Sequence, residues 1–307
     1  MNHEHYQISE NSMSSRCRTL FTVLAFVCVL NVRNLMADIN DSKTKAITPH
    51  DKVIEIFDGE SLAGLYTWLQ ESKYEDNRGV FQVIDGKLVI SGDGMGAVIT
   101  RNSYYDYHLV LEYRWGSRTW RERKDCARDS GLLIHSTGAE GGYSGIWIPS
   151  LEVQIIEGGV GDFIRVHGPD EHGKPVHMTM TCEVEPLNTN EVIWNKGSTR
   201  VTYDSSHQPH CPRINWHLRD PNWQDVRGFR GKNDPDSPGE SWTQLDVICD
   251  GGDVHTFVNG VMVNEAFDVE PRAGKLQIQS ELAEIHIRRW ELWPLRNSPR
   301  PAPAVNP

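Results

Sequence analysis

The segment from residue 130 to residue 162 constrains the fold of this chain more than any other part. Its second strand, Leu-Glu-Val-Gln-Ile at residues 151–155, alternates strictly between apolar and polar side chains. Because strand side chains point to opposite faces in turn, Glu152 and Gln154 share one face of the strand. A glycine-rich loop precedes this strand, and His135 ends the strand before it. The segment therefore predicts two adjacent strands that carry a carboxylate and an amide on one rigid face.

The loop between these two strands adds aromatic rings to the same region. Tyr143 and Trp147 lie in it among several glycines. An aromatic ring packs well on the apolar face of a pyranose, and carboxylates and amides hydrogen-bond its hydroxyl groups. We therefore interpret this region as a candidate sugar-binding face, with Trp147 as the ring that stacks on the sugar.

Short alternating runs separated by tight turns recur along most of the chain. The strongest hairpin turn is Asn259-Gly260. In the last run, Ile285 and Ile287 point to one face of the strand, whereas the alternation of the apolar residues that follow is shifted by one. This shift predicts a β-bulge at Arg288-Arg289. Many strands with hardly any helix predict an all-β fold, in which two antiparallel sheets pack as a sandwich. The concave outer face of one sheet would then be free to bind a ligand.

The N-terminus has the features of an export signal. Arg16 and Arg18 precede an apolar run at residues 20–30, which is too short to span a bilayer comfortably. We expect a periplasmic or secreted protein with no stable membrane anchor after cleavage. The predicted divisions of the chain are a signal peptide, a polar linker, one domain and a loose proline-rich tail, at residues 1–37, 38–52, 53–295 and 296–307.

Charge and cysteine content narrow the choice of partners. A formal net charge of −11 without a basic stripe argues against nucleic acid as a partner. Four cysteines follow the signal and permit three disulfide connectivities, of which Cys126 with Cys182 or Cys211 would staple the long loops. No cofactor is expected. A divalent metal stays open as a hypothesis, because His167 and His172 lie beside acidic residues.

Six short motifs occur in one order between residues 53 and 295. They are Ile-Phe-Asp-Gly-Glu-Ser-Leu at 56–62, Asp-Ser-Gly-Leu at 129–132, Leu-Glu-Val-Gln-Ile at 151–155, Val-Asn-Gly at 258–260, Gly-Lys-Leu-Gln-Ile-Gln-Ser-Glu at 274–281 and Ile-Arg-Arg-Trp-Glu-Leu at 287–292. Together they resemble the family called 3-keto-disaccharide hydrolase. The resemblance implies a concanavalin A-like jelly roll, export, and action on 3-keto glycosides. Leu282 stands where this family commonly has glycine.

The implied substrate calls for a base and an acid. A ketone at C3 acidifies the C2 proton, so a base can remove it and the group at C1 can leave as an acid protonates its oxygen. Glu152 is the first candidate for base or acid. Glu281 is the second carboxylate if its strand neighbours that of Glu152, and otherwise a turn carboxylate. His135 could act as acid, base or metal ligand, since its ordinary pKa lies near neutrality.

Three further polar side chains are candidates for substrate binding. Gln154 shares the face of the candidate base, and Gln279 shares a face with Glu281. Arg114 could stabilise an enolate oxygen or could form a cross-strand ion pair with Glu112. Two other functions stay open for the same face. One is a non-catalytic carbohydrate-binding module, and the other is a conventional glycosidase that uses two carboxylates.

Overall fold

The computed structural model describes residues 46–188, 190–208 and 210–299; the predicted signal peptide lies outside them. Within these ranges the chain forms eighteen strands and two single-turn 3₁₀ helices, at Arg121–Arg123 and Leu295–Asn297. The strands are β1 Ile54–Phe57, β2 Leu65–Leu69, β3 Phe81–Ile84, β4 Lys87–Ile90, β5 Met95–Thr100, β6 Tyr107–Thr119, β7 Asp129–Ser136, β8 Ser150–Ile156, β9 Phe163–Val166, β10 Thr179–Pro186, β11 Glu191–Trp194, β12 Thr199–Asp204, β13 Arg213–Asn215, β14 Thr243–Asp250, β15 Asp253–Val258, β16 Val261–Glu270, β17 Lys275–Glu281 and β18 Ala283–Trp293.

The strands pair in two groups that one ladder joins. The β6 group runs β3-β4-β18-β6-β14-β15-β16, with β1 also paired to β18. The β8 group runs β2-β5-β17-β7-β8-β9-β13-β11-β10-β12. Pairing of β10 with β16 makes the network continuous, and β11 pairs with β13 in parallel. The all-β prediction is confirmed, whereas two separate antiparallel sheets are not.

Both groups of strands bury their apolar residues in one hydrophobic core. Leu109 and Leu111 of β6 belong to it, and so do Val153 and Ile155 of β8, all without solvent exposure. The polar residues between them point to the outer faces, as the period of two requires. Burial of these apolar side chains holds the strands in register, because a slip by one residue would expose them.

Several local predictions are confirmed at the level of single residues. β15 and β16 meet at the Asn259-Gly260 turn, where both residues have positive φ, 46° and 81°. These angles suit the type I′ hairpin turn. The register of β18 against β6 shifts between Ile287 and Arg289, at the predicted bulge. Leu282 takes a φ of 61°, which explains why glycine suits this position.

The long region between β8 and β14 contains the short strands that its length requires. The structure places β9 to β13 there. Cys126, Cys182, Cys211 and Cys249 are all free thiols, so the predicted disulfide staple is not formed. Ile47, within the predicted linker, already bridges to Tyr104. In the described ranges, no helix has the length and apolar character needed to cross a membrane.

Candidate active site

Strands β8, β7 and β17 lie side by side and carry the predicted polar residues on one outer face. Glu152 is opposite Leu133 of β7, and Leu133 is opposite Gln277 of β17. Because side chains alternate along β17, Gln279 and Glu281 point to the same face as Gln277. The strand of Glu281 is therefore one strand removed from that of Glu152, with β7 between them.

A cavity of about 330 Å³ opens on this face. Four of the predicted site residues line it, namely Glu152, Gln154, Glu281 and Trp147. Gln279 is fully buried and lies against Glu152. The structure thus brings together five of the seven predicted residues, including both carboxylates.

Gly131 provides the space in which these side chains meet. It lies on β7, opposite Gln154. A Cβ atom at this position would stand 2.5 Å from Glu152 Oε1 and would also clash with the side-chain amide of Gln279. Since Glu152 and Gln279 belong to strands on either side of β7, the missing side chain of Gly131 lets them approach each other across it. Sequence reasoning missed this residue, because its role depends on which strands flank β7.

The carboxyl groups at the cavity have strongly raised pKa values. Burial raises the pKa of Glu152 to about 8, and the nearby charge of Asp129 adds to the shift. Burial raises the pKa of Glu281 well above its usual range, with further contributions from Asp129 and Glu152. Asp129, which is 3% exposed, also has its pKa raised by burial, to about 6. Glu152 and Glu281 therefore favour their protonated forms near neutral pH, whereas Asp129 is mostly ionised there, since like charges in a buried site cannot all ionise.

Two arginines keep this cluster from being wholly neutral. Arg123 forms an ion pair with Asp129, and Arg213 lowers the pKa of both Asp129 and Glu152. Arg213 is held by Asp162, whose fully buried carboxylate lies 2.8 Å from Arg213 Nη2. Arg213 thus places a fixed positive charge near Glu152, and this charge favours the ionised form that a base requires.

Aromatic and imidazole rings also line the cavity. Tyr143 stacks on Trp147 with ring centroids 5.8 Å apart, and His167 packs edge-on against Tyr143 at 5.4 Å. Trp147 is only 6% exposed and donates from Nε1 to the carbonyl of Gly96 at 2.9 Å. Trp147 therefore supports Tyr143, which offers the more accessible ring to a ligand. The imidazole rings of His167 and His210 are exposed at the same cavity, and His210 lies on the loop before β13.

His135 does not line this cavity. It has a φ of 54° at the end of β7, where the register against β17 shifts between Lys275 and Gln277. This irregularity turns its ring away from the outer face and edge-on to Tyr107 of the core, at 6.1 Å. The ring is 1% exposed, and burial lowers its pKa to about 4, so His135 is neutral. The structure does not bring it together with Glu152.

Arg114 also lies away from the cavity. It belongs to β6, in the other group of strands, and its guanidinium packs over the Trp242 ring at 5.1 Å. Glu112, the predicted alternative partner, forms ion pairs with Arg288 and Arg289 instead. The alternation of β6 correctly predicted that Arg114 points outward, but on the face that does not carry Glu152.

Metal-ligating residues are not clustered in the ranges that the structure describes. No three His, Cys, Asp or Glu side chains there are arranged to hold an ion. His172 lies in an exposed turn, where its backbone N–H donates to Asp170.

The fold and the site together define an all-β protein whose outer face carries a carboxyl cluster in an aromatic-walled cavity. The family of 3-keto-alpha-glucoside-1,2-lyase-like domains matches residues 52–292. The chain belongs to this family, which confirms the resemblance seen in the sequence and supports a carbohydrate-active function. No curated protein matches the chain.

Several solved structures are similar to this chain. A provisionally named glycosyl hydrolase from Parabacteroides distasonis has 15% sequence identity and a TM-score of 0.43, over 79% of this chain and 94% of that chain. The carbohydrate-binding module CBM66 from Bacillus subtilis has 12% identity and a TM-score of 0.40, over 74% and 94%. The kappa-carrageenase of Pseudoalteromonas carrageenovora has 9% identity and a TM-score of 0.38, over 79% and 92%. The assignment of the chain rests on the family match.

Proposed function

We propose that this protein cleaves the glycosidic bond of 3-keto glucosides by β-elimination. The observation that carries the proposal is the pair Glu152 and Glu281, which line one cavity and whose pKa values are raised by burial and by the charge of Asp129. Family membership supports the substrate class. The proposal includes a concanavalin A-like arrangement of two antiparallel sheets, with the cavity on the outer face of one of them.

The reaction needs one proton removed and one proton supplied. The ketone at C3 acidifies the C2–H bond, and the Glu152 carboxylate takes that proton to give an enolate. The electron pair then forms the C1–C2 double bond as the bond between C1 and the glycosidic oxygen breaks. The carboxylic acid of Glu281 gives its proton to the departing oxygen. The products are an unsaturated keto sugar and the released alcohol or sugar, and water adds to the former in a later step.

The assignment of roles rests on the causes of the two pKa shifts. Arg213 and Gln279 both favour the ionised form of Glu152, which suits the base. Asp129 and Glu152 raise the pKa of Glu281, and their effect is larger than the lowering by Arg123 and Arg213, which suits the acid. A carboxylate with a raised pKa is also a stronger base than an exposed one, so burial contributes to removal of the C2 proton.

The wall of the cavity supports a sugar as the ligand. Tyr143 offers a ring to the apolar face of a pyranose, while Gln154, His167 and His210 bring polar groups to the same space. Gln154 uses its Oε1 to accept from the N–H of Ile155 at 2.8 Å, which leaves its NH₂ group to donate to a hydroxyl.

Single substitutions of the two carboxylates test the assignment. With 4-nitrophenyl 3-keto-α-glucoside as substrate, Glu152→Gln and Glu281→Gln should each lower kcat/KM by about 10²- to 10⁴-fold, the usual contribution of a positioned acid or base. Glu55→Gln is the matched control, since Glu55 is an exposed carboxylate on β1. Undiminished cleavage by Glu152→Gln would show that the base lies elsewhere.

The same carboxyl pair makes a conventional glycosidase the second candidate. That enzyme would release nitrophenol from the unoxidised 4-nitrophenyl glucoside, whereas the elimination requires the C3 ketone. Binding of either compound without turnover would instead indicate a carbohydrate-binding module.

We also propose that the protein acts outside the cytoplasm, after removal of residues 1–37. The supporting observation is the short apolar run that follows Arg16 and Arg18. Mass spectrometry of the protein recovered from the periplasm or medium should then give Asp38 as its first residue, and a full-length chain confined to the cytoplasm would contradict export.

A further inference from the structure

We propose that a second cavity on the same outer face binds an acidic saccharide residue, a uronate, independently of the carboxyl cluster. This cavity has a volume of about 510 Å³. Aromatic and charged side chains make up its lining, which consists of Tyr66, Thr67, Tyr74, Arg101, Glu140 and Lys275.

Strand register places the second cavity in line with the first. Tyr66 is opposite Ile99, Ile99 is opposite Gln277, Gln277 is opposite Leu133, and Leu133 is opposite Glu152. These residues form one row across five strands, so Tyr66 and Glu152 share a face. Four strand spacings of about 4.8 Å separate their backbones by about 19 Å, which is too far for one monosaccharide to occupy both cavities.

The loop at residues 137–149 divides the two cavities and contributes to both. Ile146 and Ile148 pack with Ile99 and Leu133 on the row between them. The loop presents Tyr143 to the first cavity and Glu140 to the second. The second cavity is therefore a separate binding site, fixed by the same loop that forms the wall of the first.

Tyr74 contributes an exposed aromatic ring to the second cavity, and its neighbours fix the orientation of that ring. Its side chain is 58% exposed, and its ring packs edge-on against Trp68 with centroids 5.0 Å apart. Its hydroxyl donates to Glu140, which also accepts from the hydroxyl of Tyr66 at 2.8 Å. A ring that is both exposed and held in place suits the apolar face of a pyranose, because little side-chain freedom is lost on binding.

The charges of the second cavity favour an acidic sugar. Lys275 Nζ lies 3.7 Å from Glu140 Oε1 and donates to the Tyr66 hydroxyl at 2.7 Å. The negative charge of Glu140 thus offsets the positive charge of Lys275. The exposed guanidinium of Arg101, 5.7 Å from the Tyr66 ring centroid, adds a further positive charge. In a chain of net charge −11, this cavity has one more positive than negative side chain. A planar guanidinium beside an aromatic ring matches a pyranose that bears a carboxylate.

Titration calorimetry with two trisaccharides of equal length tests the proposal. Trigalacturonate is the acidic probe and maltotriose is the neutral one. Trigalacturonate should bind, and Tyr74→Ala and Arg101→Gln should each weaken its binding by about fivefold or more, as for truncated aromatic and arginine anchors. Tyr105→Ala is the matched control, because Tyr105 is an exposed tyrosine, at 40%, outside the cavity lining. Circular dichroism should show unchanged fold in all three variants.

Glu152→Gln separates this site from the proposed cleavage. It should bind trigalacturonate as the parent protein does, whether or not Glu152 is the base. Absence of trigalacturonate binding, equal affinity for maltotriose, or binding unaffected by both Tyr74→Ala and Arg101→Gln would each overturn the proposal.

Discussion

The carboxylate of Glu152 lies directly over Gly131 of the neighbouring strand, where a Cβ atom would stand 2.5 Å from Glu152 Oε1. Gly131→Ala should therefore push Glu152 and Gln279 apart. The φ of Gly131 is not in the left-handed region, so alanine suits the backbone and the effect should fall on the side chains. We expect kcat/KM on the 3-keto substrate to fall by about 10²-fold, as for displacement of a catalytic group by 1 Å.

Gly173→Ala is the control for loss of a glycine away from the site, since no heavy atom lies within 4 Å of its added Cβ. Because Gly173 has a φ of 79°, alanine strains the backbone there, so this variant should lose some stability. It should leave kcat/KM unchanged. Full activity in Gly131→Ala would show that the position of Glu152 over β7 is unimportant for the reaction.

The free energy of unfolding should depend on pH through Glu152. Its pKa is about 8 in the folded protein and near 4.5 in the unfolded chain, so the folded state binds the proton more tightly. The contribution of this group to the free energy of unfolding is therefore greatest below about pH 4.5. It is lost progressively as the pH rises through about 8, where the folded state releases the proton as well. Urea unfolding at pH 5, 7 and 8 measures this, and Glu152→Gln should flatten the decline. The same slope in both proteins would contradict a raised pKa at Glu152.

His135 should be dispensable for cleavage. It is buried and neutral, with its pKa lowered to about 4, and its ring faces the core. His135→Asn should keep most of the activity, because asparagine also tolerates the φ of 54°. His135→Val should lower the free energy of unfolding by about 1–3 kcal/mol relative to His135→Asn, the usual strain of a residue held in an unfavourable backbone region. Denaturant unfolding and kcat/KM together check this, and loss of activity in a fully folded His135→Asn would return His135 to the candidate catalytic residues.

Arg213 should set the pH at which the base becomes active. Its charge lowers the pKa of Glu152, so Arg213→Gln should raise that pKa further. The acidic limb of the pH profile of kcat/KM reports the base of the free enzyme and should move to higher pH. Arg213→Lys keeps a positive charge and should hold the limb near its original position. Arg200→Gln removes an exposed arginine that pairs with Glu183 at 3.1 Å and should have no effect. A limb that stays in place in Arg213→Gln would show that another group is the base.

Alternation along single strands was enough to predict the directions of the main site residues. Glu152 and Gln154 share a face, and Gln279 shares a face with Glu281, because the period of two is a property of the strand itself. The turn at Asn259-Gly260 was predictable for the same reason, since its chemistry is local. These features needed no knowledge of distant parts of the chain.

What the sequence did not predict depends on strand neighbours. Gly131 matters only because β8 and β17 flank β7, and no local pattern reports that pairing. Arg114 was assigned to the wrong face. Alternation tells which side of its own strand a residue points to, but it does not tell which group of strands contains that strand. His135 was misplaced because a register shift opposite Lys275 turns its side chain inward.

The most direct measurement is turnover of a C3-oxidised α-glucoside, deuterated at C2, in oxygen-18 water. Elimination through Glu152 predicts a first product that is an unsaturated keto sugar without oxygen-18 at C1, formed with a primary deuterium isotope effect. A first product that carries oxygen-18 at C1 and forms without an isotope effect would mean that water attacks the glycosidic bond directly, and it would contradict removal of the C2 proton.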